Sequence, residues 1–98
     1  MTHKAVFRPQ AQAELFEARD WYEERQAGLG VEFFAAVDAA VSNISERPLT
    51  YPRVHNEIRR AILPRFPYAV FFELLDDEIV VLAVIHGRRH PRIWRSRR

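Results

Sequence analysis

The chain predicts an α+β domain of element order β-α-α-β-β-β, with a helical hairpin on one face of a mostly antiparallel four-stranded sheet. Three observations carry this. Two stretches in the first half place apolar residues at helical spacing. Ile79 to Ile85 is an unbroken apolar, β-branched-rich run, the mark of a strand buried on both faces. The strand signals follow the helices instead of alternating with them, which favours an antiparallel sheet over a parallel one.

Lys4 to Arg8 reads as a short strand. Pro9 suits the first turn of a helix, where its missing N–H costs nothing. Ala11, Leu15, Ala18 and Tyr22 then share one helical face. Gly28 is a candidate helix terminus, and the short break predicts a second helix packing back antiparallel. That helix spans about Gly30 to Glu46, with Phe34, Val37, Val41 and Ile44 as its apolar stripe, flanked by Phe33 and Ala40, and Pro48 ends it. Arg47 to Glu57 reads as a polar connector. Ile58–Leu63, Tyr68–Leu75 and Glu78–His86 read as strands, the last two joined by a tight Asp76-Asp77 turn. Residues 1–98 form one domain, and Arg95-Ser96-Arg97-Arg98 reads as a frayed basic tail. The face of the sheet away from the helices is expected to be partly open.

Charge is unevenly placed. Up to Glu57 there are six basic residues against nine acids, a net of −3; from Ile58 onward nine arginines face four acids, a net of +5. Fourteen of the fifteen cations are arginine, the side chain suited to bidentate contact with carboxylate or phosphate. The basic half points to an anionic partner, nucleic acid or an acidic protein. There is no cysteine, which excludes a disulfide scaffold and thiolate metal sites. No signal-like N-terminus and no apolar run near membrane-spanning length is present, so a cytoplasmic location with no membrane contact is expected.

Three clusters could carry chemistry. His86-Gly87-Arg88-Arg89-His90 joins imidazoles suited to proton transfer to guanidiniums suited to phosphate, a combination fit for metal-free RNA cleavage. The competing reading makes His86 a half-buried strand residue and the arginines solvated. Arg59 and Arg60, with Arg65 beyond them, alternate across the sheet, so only one of the pair reaches the open face. Their other reading is edge protection. Tyr68 and Trp94 either stack on bases or belong to the core, and Trp94 beside Ile93 favours the core. The histidines His3, His55, His86 and His90 show no metal-ligand spacing, and no cofactor motif is present.

The segments Tyr22-Glu23-Glu24, Gly28-Leu29-Gly30-Val31-Glu32-Phe33, Arg59-Arg60, Tyr68-Ala69-Val70-Phe71-Phe72 and Ile85-His86-Gly87-Arg88-Arg89, in this element order, resemble the RelE/ParE toxin superfamily of type II toxin–antitoxin (plasmid stabilisation) modules. The resemblance implies a small cytoplasmic toxin without cofactors, held inactive by an acidic antitoxin with a helix and an extended segment. RelE-like members cleave messenger RNA on the ribosome; ParE-like members poison DNA gyrase. The ribonuclease pattern has basic residues on the first hairpin strand, an arginine opening the next, an arginine after the last, and a C-terminal tyrosine or histidine. Arg59 or Arg60 and Arg88 or Arg89 match it. Tyr68 and Trp94 depart from it, and an indole N–H is a donor only. The resemblance therefore favours the ParE-like arm, with the ribonuclease as the alternative and a member without toxicity as a further one. The catalytic set is unassigned, with His86, Arg88, Arg60 and His90 as candidates; the expected contact surface for target or antitoxin is Arg59, Arg60, Arg65, Tyr68, Arg88, Arg89, Arg92 and Trp94.

Overall fold

A computed structural model describes residues 2–97. Strand β1 (Lys4–Phe7) leads into helices α1 (Pro9–Arg25) and α2 (Leu29–Glu46). A 3₁₀ turn (Pro48–Thr50) precedes strands β2 (Arg53–His55), β3 (Ile58–Ile62), β4 (Tyr68–Leu75) and β5 (Glu78–His86), and one helical turn, α3 (Arg92–Arg95), follows. The sheet order is β1-β5-β4-β3-β2, with β1 parallel to β5 and every other pair antiparallel.

The sheet therefore has five strands, not four. The extra one is β2, inside the expected connector. It has one apolar residue, Val54, so three residues between Pro52 and Asn56 carry no period-2 signal. Asn56 adopts left-handed φ (50°), which Asn tolerates, and this turns β2 back onto β3. Pro52 lies just outside β2 on an edge, where a missing N–H does no harm. The Asp76-Asp77 turn has both residues at positive φ, the two-residue type I′ geometry that matches strand twist, and it pairs Leu75 with Glu78.

Pro9 opens α1 as expected, and Ala11, Leu15 and Ala18 are its buried side chains. Gly28, at φ 91°, precedes the first residue of α2 instead of closing α1. The Glu23 carboxylate accepts hydrogen bonds from the Gly28 and Gly30 N–H groups, at 2.8 and 2.9 Å. These bonds satisfy donors that a helix start leaves open, and they hold the Glu23 carboxyl below the ordinary carboxylate range. The α2 stripe is rotated from expectation: Phe33 is fully buried, whereas Phe34 is half-exposed and stacks on Phe16 across the outer side of the hairpin.

Strand β5 is buried on both faces, as its unbroken apolar run demands. Towards the helices, Ile79, Val81 and Val84 pack with Phe33, Val37, Ile44 and Phe72. On the other face, Val80, Leu82, Ala83 and Ile85 pack with Ile58, Ala69 and Phe71. That second face is more closed than expected. Trp94, delivered by α3, is buried and stacks on Phe71 with ring centroids 4.5 Å apart. The tail expected to fray is held as far as Arg97, which pairs with Glu14 at 2.8 Å; Arg98 lies outside the described residues.

Candidate functional site

The uncovered part of the second face lies where β3, β4 and β5 run out. A shallow pocket of about 230 Å³ is lined there by Arg60, Ile62, Tyr68, His86, Gly87 and Arg88, and no carboxylate lines it. Ile62 is 70 % exposed, so this corner, unlike the region under Trp94, meets solvent.

Strand alternation explains which arginine arrives. Arg60 pairs with Phe71 and shares the second face with Ile58; its Nε is buried and has no hydrogen-bond partner. Arg59 points the other way and donates from Nη1 to the Tyr51 carbonyl oxygen at 2.6 Å, a structural role. Arg65 stands apart on the α2 side, 3.4 Å from Glu32.

His86 ends β5 directly opposite Tyr68, with ring centroids 5.9 Å apart. Its Nδ1 accepts the Arg88 backbone N–H at 3.1 Å. His90 repeats the motif, accepting the Arg92 N–H at 3.2 Å. An accepting Nδ1 places the proton of a neutral ring on Nε2, so each imidazole offers a donor outward instead of a basic lone pair. Burial pushes the Tyr68 phenol above the ordinary tyrosine value, with Arg89 acting against it, and burial raises Tyr22 as well.

The expected cluster is thus divided. Arg60, His86 and Arg88 come together with Tyr68, whose ring turns to the helix side against Tyr22 and Phe33, so that Tyr68 and His86 also border a second groove, between α1 and β5. Arg89 turns to that groove, and His90 and Arg92 are exposed beyond the pocket. Trp94 lies in the core and is unavailable to a partner in this conformation. Residues not foreseen for the site are Glu14 and Arg97, which meet at the edge of β5. Glu14 carried no distinct signal, as one acid among many on α1. Among the described residues no cluster of three or more metal-ligating side chains occurs, and no helix is long and apolar enough to cross a membrane.

A family profile described as the ParE toxin of the type II toxin–antitoxin system parDE matches residues 5–91. The chain belongs to this family. It is a ParE-family toxin by that match, which runs from the second residue of β1 through β5 and so takes in both long helices and the Arg60–His86–Arg88 pocket. Among solved structures, a chain of the chromosomal ParDE toxin–antitoxin system from P. aeruginosa is similar with a TM-score of 0.74 and 18 % identity, over 87 % of this chain and 96 % of that one. A chain of the RelBE2 toxin–antitoxin complex from Mycobacterium tuberculosis is similar with a TM-score of 0.60 and 18 % identity, over 88 % and 99 %. At such identity these likenesses concern the fold alone. No curated protein sequence matches.

Proposed function

We propose that this ParE-family toxin acts by binding a protein target, DNA gyrase, without catalysis of its own, and that an antitoxin neutralises it. The observation that carries the non-catalytic reading is the engagement of both candidate imidazoles. His86 and His90 each spend Nδ1 on a backbone N–H, leaving only Nε2–H facing outward. Trp94, in the region where a ribonuclease of this superfamily has a proton-transferring side chain, is buried against Phe71. The Tyr68 phenol is held protonated at neutral pH. General base catalysis needs a free lone pair within reach of the attacking hydroxyl, and these four residues offer none. Gyrase as the target follows from the ParE-like arm of the superfamily. Purified toxin titrated into a gyrase supercoiling reaction tests it; unchanged supercoiling at saturating toxin sinks the reading.

The antitoxin partner is supported by the solved relatives, both from toxin–antitoxin systems. Its acidic segment is expected to meet the arginines of the C-terminal half, Arg60, Arg88, Arg89 and Arg92. Co-purification that survives reversal of these four to Glu contradicts that electrostatic contact.

One observation favours a second reading. Arg60 and Arg88 share an acid-free pocket with His86, an arrangement suited to phosphate. A RelE-like endoribonuclease would use Arg60 and Arg88 for phosphate contact and the Nε2–H of His86 as a hydrogen-bond donor. Intact messenger RNA after incubation of wild-type toxin with translating ribosomes removes this reading.

A further inference from the structure

Strand β5 has nine residues, but β1 pairs only with its first part, from Lys4 opposite Glu78 to Phe7 opposite Val81. Past Val81 no strand among the described residues continues on that side. Two side chains stand in. The Glu14 carboxylate accepts the Val84 backbone N–H at 3.1 Å, the place a neighbouring strand would give a carbonyl. The Arg97 guanidinium donates to the Leu82 carbonyl oxygen at 3.3 Å, the place such a strand would give an N–H. The same Arg97 nitrogen pairs with Glu14 at 2.8 Å. A helix and the C-terminal arm thus imitate one rung of a missing strand. An open strand edge is a template for pairing, and here it is closed by an ion pair instead of backbone.

Beside this edge runs a groove of about 580 Å³ between α1 and β5, with Trp21, Tyr22 and Tyr68 on its walls, Glu14 and Glu17 along its α1 side, and His86 and Arg89 from the end of β5 and the turn after it. Its α1 side, away from Arg89, suits a cation. Aromatic faces and carboxylates attract guanidinium, and Trp21 already carries the Arg25 guanidinium 3.8 Å over its ring.

We infer that this groove and the β5 edge beside it receive an extended peptide segment of a partner protein, anchored by a basic side chain that replaces Arg97 on Glu14. The inference rests on the partner-binding reading above and adds where an extended segment docks and what residue it must carry. Charge decides the occupant. Displacing Arg97 strips the partly buried Glu14 carboxylate of its ion pair, so the arriving segment must bring a cation there even if the partner is acidic elsewhere. Its backbone then supplies the carbonyl for the Val84 N–H and the N–H for the Leu82 oxygen.

The test needs no cognate partner, so its failure is separate from failure of the toxin–antitoxin reading. The probe is a blocked peptide of alternating Thr and Val with one central Arg, titrated into ¹⁵N-labelled toxin beside its central-Glu and central-Gln counterparts. The Arg peptide is expected to shift the Leu82, Val84 and Ile85 amides, to slow exchange of the Val84 N–H, and to bind Arg97→Ala roughly fivefold or more tightly than wild type, because the competing guanidinium is gone. Arg97→Gln serves the same purpose if the alanine variant does not fold. Glu14→Gln is expected to abolish the preference for Arg over Gln. Equal binding of the three peptides, shifts confined to another surface, no binding to either Arg97 variant, or unchanged affinity in both overturns the inference.

Discussion

An alanine Cβ at position 30 would stand 2.5 Å from the Arg19 carbonyl oxygen and 2.9 Å from the Cβ and Oε1 of Glu23. The first of these is helix backbone, which cannot swing aside as a side chain can. Relief requires α1 and α2 to part by roughly 1 Å at their closest point, in an interior that is otherwise close-packed. Overpacking of this kind costs about 1–3 kcal/mol. The gain in helix propensity from Gly to Ala returns at most about 1 kcal/mol. Movement of the Gly30 N–H also weakens its hydrogen bond to Glu23. The net expected loss is about 1–2 kcal/mol, which for a domain of this size lowers Tm by about 4–16 °C. Calorimetry or guanidinium unfolding of Gly30→Ala measures it directly. Gly28→Ala is the companion control: its Cβ meets nothing within 4 Å, so only the positive φ of 91° acts against it, at about 1 kcal/mol. A Gly30→Ala variant as stable as wild type, or more stable, refutes close helix contact as the reason for glycine at this position.

Other expectations follow from the same geometry. Trp94→Ala removes a buried indole stacked on Phe71 and is expected to cost about 3–5 kcal/mol, read as a lower denaturant midpoint; a change under about 1 kcal/mol contradicts its place in the core. Glu23 has a depressed carboxyl, so its contribution is present above the unfolded-state value and is lost as pH falls through the lower folded value. Glu23→Gln should therefore lower Tm at pH 7, and the gap from wild type should close in acid below the ordinary carboxylate range. The raised Tyr22 and Tyr68 phenols act in the opposite range. They resist ionisation, so folded stability falls as pH rises above about 10, and ultraviolet titration should show two tyrosines ionising late.

Much of the fold was legible because its strongest signals are periodic. The apolar run Ile79–Ile85 identified a strand buried on both faces, and the Asp76-Asp77 turn set the register of its hairpin. Strand β2 was not legible, since three residues with one apolar side chain hold no period. The choice between Phe33 and Phe34 was equally hidden: adjacent aromatics differ by about 100° around a helix, and only the neighbouring sheet decides which is buried. At the site, alternation on β3 implied that one of Arg59 and Arg60 faces away, but which one depends on pairing with β4. The arrangement at Glu14, Val84 and Arg97 joins residues about seventy and eighty positions apart, and nothing local marks such a contact.

The most direct test of the non-catalytic reading is gyrase supercoiling titrated with purified toxin, run with the wild type and with His86→Ala. Dose-dependent loss of supercoiling by both proteins is the expected result, because on this reading the His86 imidazole transfers no proton. Full supercoiling at saturating wild-type toxin contradicts it.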